Sequence, residues 1–250
     1  MTSAADLHFH LLPGVDDGPS DVVDSVELAR AAAAEGTGTV VATPHVREDF
    51  VTAVLDLRDL VGAVRREIAA AGVELEVLSG GEVGHEMVER LRHEELEAVA
   101  QGPPDARWIL VETPFGVLGE DFHAATDELR DRGFGVVLAH PERGADAAVC
   151  GAAGLRRELA AGSLAQVNAM SLAGGHGDDA KSAVFALLAE GLVAVVASDA
   201  HGPTRPPALR IARRAMQDRG VPGPVGHALT ESATRRLLTQ GVKPTRALAA

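Results

Sequence analysis

Short apolar runs alternate with amphipathic stretches of helical period almost from end to end of this 250-residue chain. That rhythm restricts the fold to an α/β class built as a parallel βα array. Strands are expected at residues 6–9, 39–43, 75–79, 108–112, 135–139, 164–168 and 193–198. Helices are expected at 22–35, 52–71, 120–132, 181–190, 205–219 and 229–238. Ser20 or Asp21 caps the first helix and Thr52 opens the second, while Gly36, Gly72, Gly133 and Gly191 stop four of the six. No linker-like segment divides the chain, so residues 1–250 read as a single domain.

Metal-binding or acidic groups follow nearly every one of those strands. The first delivers His8 and His10, which share a face at i and i+2, and then Asp16-Asp17-Gly18. The next two end in Thr43-Pro44-His45 and Gly80-Gly81-Glu82. Glu112 closes the fourth, His140-Pro141-Glu142-Arg143 the fifth, Gln166-Val167-Asn168 the sixth and Ser198-Asp199-Ala200-His201 the seventh. Any one of these residues alone reads equally well as a helix cap or a backbone partner. In a βα barrel, however, all the strand ends open on one face, so residues far apart in sequence converge there. The converging donors are His8, His10, His45, His140 and His201 with Asp17, Glu82, Glu112 and Asp199. Such a mixed nitrogen and oxygen set suits Mn, Fe or Zn better than Mg or Ca. It is too large for one ion, and two or three fit if a carboxylate such as Glu82 bridges. The chemistry this points to is metal-dependent hydrolysis.

Composition narrows the partners. A formal charge of −13, with Lys181 and Lys243 as the two lysines, argues against a nucleic-acid surface. No apolar run approaches the ~18 residues of a membrane span. Residues 1–5 carry no basic segment ahead of an apolar core, which argues against a cleaved signal. The single cysteine, Cys150, excludes an intrachain disulfide and a thiolate zinc cluster and agrees with a cytoplasmic setting. Cys150 and Arg156 do match the Cys-x5-Arg spacing of cysteine-dependent phosphatases. No convincing strand leads into Cys150, so that match is set aside. His85, His93, His123 and His227 read as solvated imidazoles, and His176, in a loop on the expected active face, as a substrate contact. Asn168 reads as orienting a ligand or as bonding to backbone.

The order of these motifs resembles the PHP (polymerase and histidinol phosphatase) superfamily, and within it the bacterial capsule-type, manganese-dependent protein-tyrosine phosphatases. Asp6-Leu7-His8-Phe9-His10-Leu11-Leu12-Pro13-Gly14-Val15-Asp16-Asp17-Gly18 is similar to that group's opening motif. The Thr-Pro-His, Gly-Gly-Glu, His-Pro-Glu-Arg, Gln-Val-Asn-Ala and Ser-Asp-Ala-His segments follow in the family's order. The resemblance implies a distorted seven-stranded (β/α)7 barrel with three divalent ions, Mn foremost and Fe or Zn as alternatives. It implies that His8, His10, Glu82 and Asp199 hold one ion, that Glu82 bridges to a second held by Glu112 and His140, and that Asp17, His45 and His201 hold the third. Arg143 and Arg205 match the family's phosphate-contacting arginines, although Arg143 could also simply pair with Glu142. Hydroxide bridging two metals is the expected nucleophile, and His201 or metal-bound water the expected proton donor. The expected substrate is a phosphotyrosine protein, with a bacterial tyrosine kinase of polysaccharide export as the natural partner. The alternatives are a phosphatase of histidinol phosphate or another small ester, and a non-catalytic, metal-stabilised regulatory module. Two departures, Val46 where the family often has a second His and a loop from His201 to Arg205 that is one residue shorter than in some members, fall at positions expected to face substrate.

Overall fold

A computed structural model describes residues 4–50, 53–148 and 151–245. Residues 1–3, the expected helix start at Thr52, and Cys150 lie outside them. Nine strands are present among the described residues: β1 (Ala4–Phe9), β2 (Thr37–Ala42), β3 (His45–Val46), β4 (Glu76–Ser79), β5 (Glu82–Gly84), β6 (Trp108–Glu112), β7 (Gly135–Ala139), β8 (Leu164–Asn168) and β9 (Val193–Ala197). They pair in parallel, in the orders β1-β2-β4 and β3-β5-β6-β7-β8-β9.

All seven expected strands are occupied, and two of them are followed after a short break by a further strand that the sequence reading does not include. Pro44, which has no N–H to give to a ladder, separates β2 from β3. Gly80 and Gly81 separate β4 from β5, where a Cβ would stand 2.7 Å from Val41 Cγ1 or 2.8 Å from Val99 Cγ1. The two short strands beyond these breaks open on His45 and Glu82, two of the expected donors. The segment after β9 closes the barrel onto β1, with Asp199 N donating to His8 O at 3.0 Å and His10 N to Ala200 O at 2.9 Å.

Alternation along the strands sorts the core. Leu7, Val41, Trp108, Leu110, Val137, Ala139 and Val195 fill the barrel interior, joined by Leu237 and Val242 from the C-terminal end. Trp108 Nε1 donates to Leu237 O at 3.1 Å, which satisfies the buried indole. Their neighbours Ile109, Val111, Val136, Leu138 and Val196 pack outward against the helices.

The helices at Val22–Ala34 and Glu120–Asp131 lie within a residue of expectation. Asp21 is the cap of the first, accepting from Val23 N and Asp24 N. The stretch expected at 205–219 is helical only over Leu209–Asp218, because Pro206 and Pro207 hold the chain before it extended. The stretch at 229–238 belongs to a longer run, Gly223–His227, a π turn over Ala228–Ser232, and Ala233–Gln240. Helices at His93–Val99 and Ala153–Ala160 were not anticipated. Among the described residues no helix is long and apolar enough to cross a membrane.

Candidate metal centre

The strand ends bring the expected donors together around Glu82. Its Oε2 lies 3.2 Å from His8 Nε2, 3.4 Å from His10 Nε2 and 2.9 Å from His45 Nδ1, and its Oε1 lies 3.0 Å from His140 Nε2. Asp199 Oδ1 stands 3.4 Å from His8 Nε2 and 3.5 Å from His10 Nε2. Asp17 Oδ1 stands 3.0 Å from His201 Nε2 and 3.5 Å from His45 Nε2. The donors fall into four groups that could each hold an ion: His8, His10 and Asp199; His8, Glu82 and His140; His45, Glu82 and Glu112; and His10, Asp17, His45 and His201. Glu112 and His140, expected to share an ion, fall in separate groups that have Glu82 in common.

Divalent cations fit this set. Donors about 2.0–2.2 Å from one ion are about 3.0–3.5 Å from each other, which is the spacing observed. Glu82 Oε2, Asp199 Oδ1, His45 Nδ1 and His201 Nε2 are buried without a hydrogen bond, although each has a neighbour within 3.5 Å. The titration behaviour agrees. Burial works to raise Glu82, but His8, His10, His140 and His45 outweigh it and hold the carboxyl well below its usual range. Asp199 is likewise buried, yet the charges of His8, His140 and Arg205 hold it low. Burial opposes charge on His10, while its bonds to Asp16 and Glu82 push its pKa up to about 10. A pocket of carboxylates that forces a buried imidazole to keep a proton is one that favours cations.

Backbone strain accompanies the site. Of the three non-glycine residues with positive φ among the described ones, two are His140 (39°) and Asp199 (54°). Each such residue costs on the order of 1 kcal/mol, and here the strain aims a donor inward from a strand end.

The arginines meet at the same carboxylate. Arg143 Nη1 and Arg205 Nη2 donate to Asp199 Oδ2 at 3.2 and 2.8 Å, so Arg143 does not spend its charge on Glu142. A tight turn, with His201 N donating to Arg205 O at 2.8 Å, returns Arg205 to the site, where Nη1 also reaches Asp17 at 3.2 Å. His201 Nδ1 lies 2.9 Å from the Asp199 carbonyl, which can only accept. Burial and the charge of His10 hold the His201 pKa below its usual value, and the neutral ring with its proton on Nδ1 presents its lone pair at Nε2, the tautomer suited to holding an ion. His176, half-buried, is pushed down to about 4 by burial and by Arg143 and Arg205, with Asp199 opposing.

Several expectations need correction or addition. Val46 faces no substrate; it is fully buried in the core. His123 is not solvated but buried, 2.6 Å from Glu158, which also accepts from Arg130. Asp16 was missed beside Asp17, yet its Oδ2 accepts from His10 Nδ1 at 2.7 Å and from His45 N at 3.0 Å. Gln166 was noted only as part of a strand end, and it bonds to both His8 and Asn168. Arg47, also missed, holds Glu112 at 2.9 Å. The adjacency of Asp16 to Asp17 was the one available signal for these.

A family model described as capsular polysaccharide synthesis, CpsB/CapC, matches residues 4–237. Tyrosine-protein phosphatase YwqE of Bacillus subtilis is 31% identical over 199 residues, 78% of this chain and 76% of the relative. Tyrosine-protein phosphatase CpsB of Streptococcus pneumoniae is 27% identical over 211 residues, 81% of this chain and 85% of the relative. A solved structure from work on YwqE and CpsB, described there as metal-dependent tyrosine phosphatases, superposes with a TM-score of 0.82 at 28% identity, over 98% of this chain and all of that one. An organophosphorus hydrolase from Deinococcus radiodurans shares the fold, with a TM-score of 0.55 at 18% identity over 95% of this chain and 93% of that one.

Proposed function

The chain belongs to the CpsB/CapC family of capsular polysaccharide synthesis, and on that premise we propose that it is a metal-dependent phosphatase that hydrolyses phosphotyrosine in proteins. The observation that carries this reading is the convergence of four imidazoles on Glu82, with Arg143 and Arg205 side by side on the neighbouring Asp199. In this reading His8, His10, Asp17, His45, Glu82, Glu112, His140, Asp199 and His201 hold the ions. Three ions are proposed, manganese first and iron or zinc as alternatives. Bound divalent ions supply acidified water as the attacking group and withdraw charge from the phosphoryl oxygens.

The chain's own residues do the rest. Arg143 and Arg205 are held in place through Asp199, and their remaining N–H groups bind the non-bridging oxygens in a planar fork that a lysine would not provide. Asp16 holds the proton on His10 Nδ1, and Gln166 that on His8 Nδ1, so that both Nε2 atoms face the ions. A phenol leaves with a pKa near ~10, so its departure requires little help from an acid. Because the His201 tautomer leaves it no proton at Nε2, we assign it to ion binding and not to proton donation.

A groove of about 570 Å³ opens beside His201 between Pro19, Leu28, Pro203 and Pro206, giving polypeptide on that side of the phosphotyrosine room to lie. A bacterial tyrosine kinase of polysaccharide export, in the cytoplasm, is the proposed natural substrate. The test is hydrolysis of a phosphotyrosine peptide, a phosphoserine peptide and histidinol phosphate, before and after chelation. Turnover of the phosphotyrosine peptide should vanish with chelation and return with Mn²⁺. Activity that survives thorough removal of metal refutes the proposal.

A further inference from the structure

The chain has six Phe, one Trp and no Tyr. Phe9, Phe122, Phe134 and Trp108 are buried, and Phe185 is partly buried beneath Arg219. The two that remain are exposed, Phe50 at 37% and Phe115 at 60%, and both rest on residues of the candidate site. Phe50 stacks on the His45 ring with centroids 5.2 Å apart and planes 18° from parallel. The guanidinium carbon of Arg143 lies 5.0 Å from the centroid of Phe115. A chain this poor in aromatics that leaves two rings in water, both against residues of the candidate site, is not using them for its core.

Phe115 is also held in place. Its carbonyl accepts from Ala145 N at 2.8 Å, just past Arg143. Gly144 lets the loop lie so close that a Cβ there would be 2.9 Å from Pro114 O. The backbone segments that carry the ring and the guanidinium are therefore held together, and Phe115 stays exposed beside Arg143. A phosphoryl group bound to the edge of Arg143 carries its ester substituent one P–O–C link away, alongside that apolar surface.

We propose that Phe115 is the specificity-determining residue for the organic part of the substrate, seating an aryl ring against its exposed face while Arg143 holds the phosphoryl group. The proposal rests on the phosphatase reading above and deepens it by naming the residue that selects the aryl ester. Phe50 covers an ion-holding imidazole instead, so it does not take this role.

The test uses the metal-loaded enzyme and two unreactive ligands, phenylphosphonate and methylphosphonate, with binding measured by calorimetry. Phe115→Ala should weaken phenylphosphonate roughly fivefold to tenfold, the worth of one aromatic contact, and leave methylphosphonate within about twofold. Phe115→Tyr should restore the difference. In turnover, Phe115→Ala should raise KM for a phosphotyrosine peptide more than it lowers kcat. Equal weakening of both phosphonates means that Phe115 acts only by steadying Arg143, and overturns the proposal, as does no weakening of either. A wild-type enzyme that binds both phosphonates but cleaves no phosphotyrosine peptide sinks the phosphatase reading, and the phosphonate ratio still decides the role of the ring.

Discussion

Replacing Gln166 with Leu tests whether the polarity of the ion site is set from a distance. Asp199 Oδ2 can only accept, so Asn168 must turn Nδ2 toward it at 2.7 Å. That leaves Asn168 Oδ1 to accept from Gln166 Nε2 at 2.9 Å, and Gln166 Oε1 to accept from His8 Nδ1 at 3.0 Å. A carboxylate after β9 thereby dictates the tautomer of a histidine on β1, with the lone pair on the Nε2 that faces Glu82 and Asp199. Gln166 is fully buried, so Leu would leave His8 Nδ1 and Asn168 Oδ1 without partners and without water. Loss of such a support typically weakens metal binding about 10- to 100-fold, or about 1.4 to 2.8 kcal/mol. Equilibrium dialysis against graded Mn²⁺, read by elemental analysis, measures it directly. Gln166→Glu keeps the acceptor for His8 but turns an oxygen toward Asn168 Oδ1, and should fall between the two. If Gln166→Leu binds Mn²⁺ as tightly as the wild type, the chain of reasoning from Asp199 to His8 is wrong.

The proposed ion-holding and phosphate-holding roles should separate by mutation. His140→Ala removes a buried donor 3.0 Å from Glu82 and should cost both bound metal and turnover, whereas Arg143→Ala should lower kcat/KM about 10²-fold with metal content unchanged. Away from the site, Glu158 accepts from His123, Thr126, Arg130 and Ser163, and Glu158→Gln should destabilise the fold by about 3 kcal/mol in chemical denaturation. Burial works to raise Glu158, but His123 and Arg130 hold it below its usual value. The unfolded chain then binds more protons than the folded one, so this contribution is complete above the ordinary Glu value of about 4.3 and fades as pH falls through the depressed folded value. With metal removed from both proteins, the wild type should lose thermal stability more steeply below about pH 4.3 than Glu158→Gln; parallel curves would contradict the assignment.

Much of the site was legible because its donors sit at local landmarks. His8 and His10 share a strand face, and His45, Glu82, His140 and Asp199 each follow an apolar run, so a barrel topology was enough to gather them. Misreadings arose where only a long-range neighbour decides. Val46 has the β3 backbone of its neighbour His45, yet it packs into the core beside Gly81. His123 lies in a polar-looking helix, but Glu158, distant in sequence, closes over it. The helix expected from Arg205 failed for a local reason that was visible, the Pro206-Pro207 pair. Its consequence was not visible: the extended segment lets Arg205 turn back onto Asp199 and Asp17.

By itself the sequence determined the alternation of the seven expected strands with helices and the candidate donors that follow those strands. Hydrophobic period and strand-end position are properties of neighbouring residues, so no distant contact is required to read them. The tertiary structure alone decided that Glu82 is the carboxylate shared by four imidazoles, that Asp16 orients His10 while Asp17 faces His201, and that Phe115 lies under Arg143. Each of these is a contact of a few ångströms between side chains whose bonding capacity is the same in any sequence position. Which nitrogen is presented and which ring stays in water are fixed only when the strands close and bring those partners together.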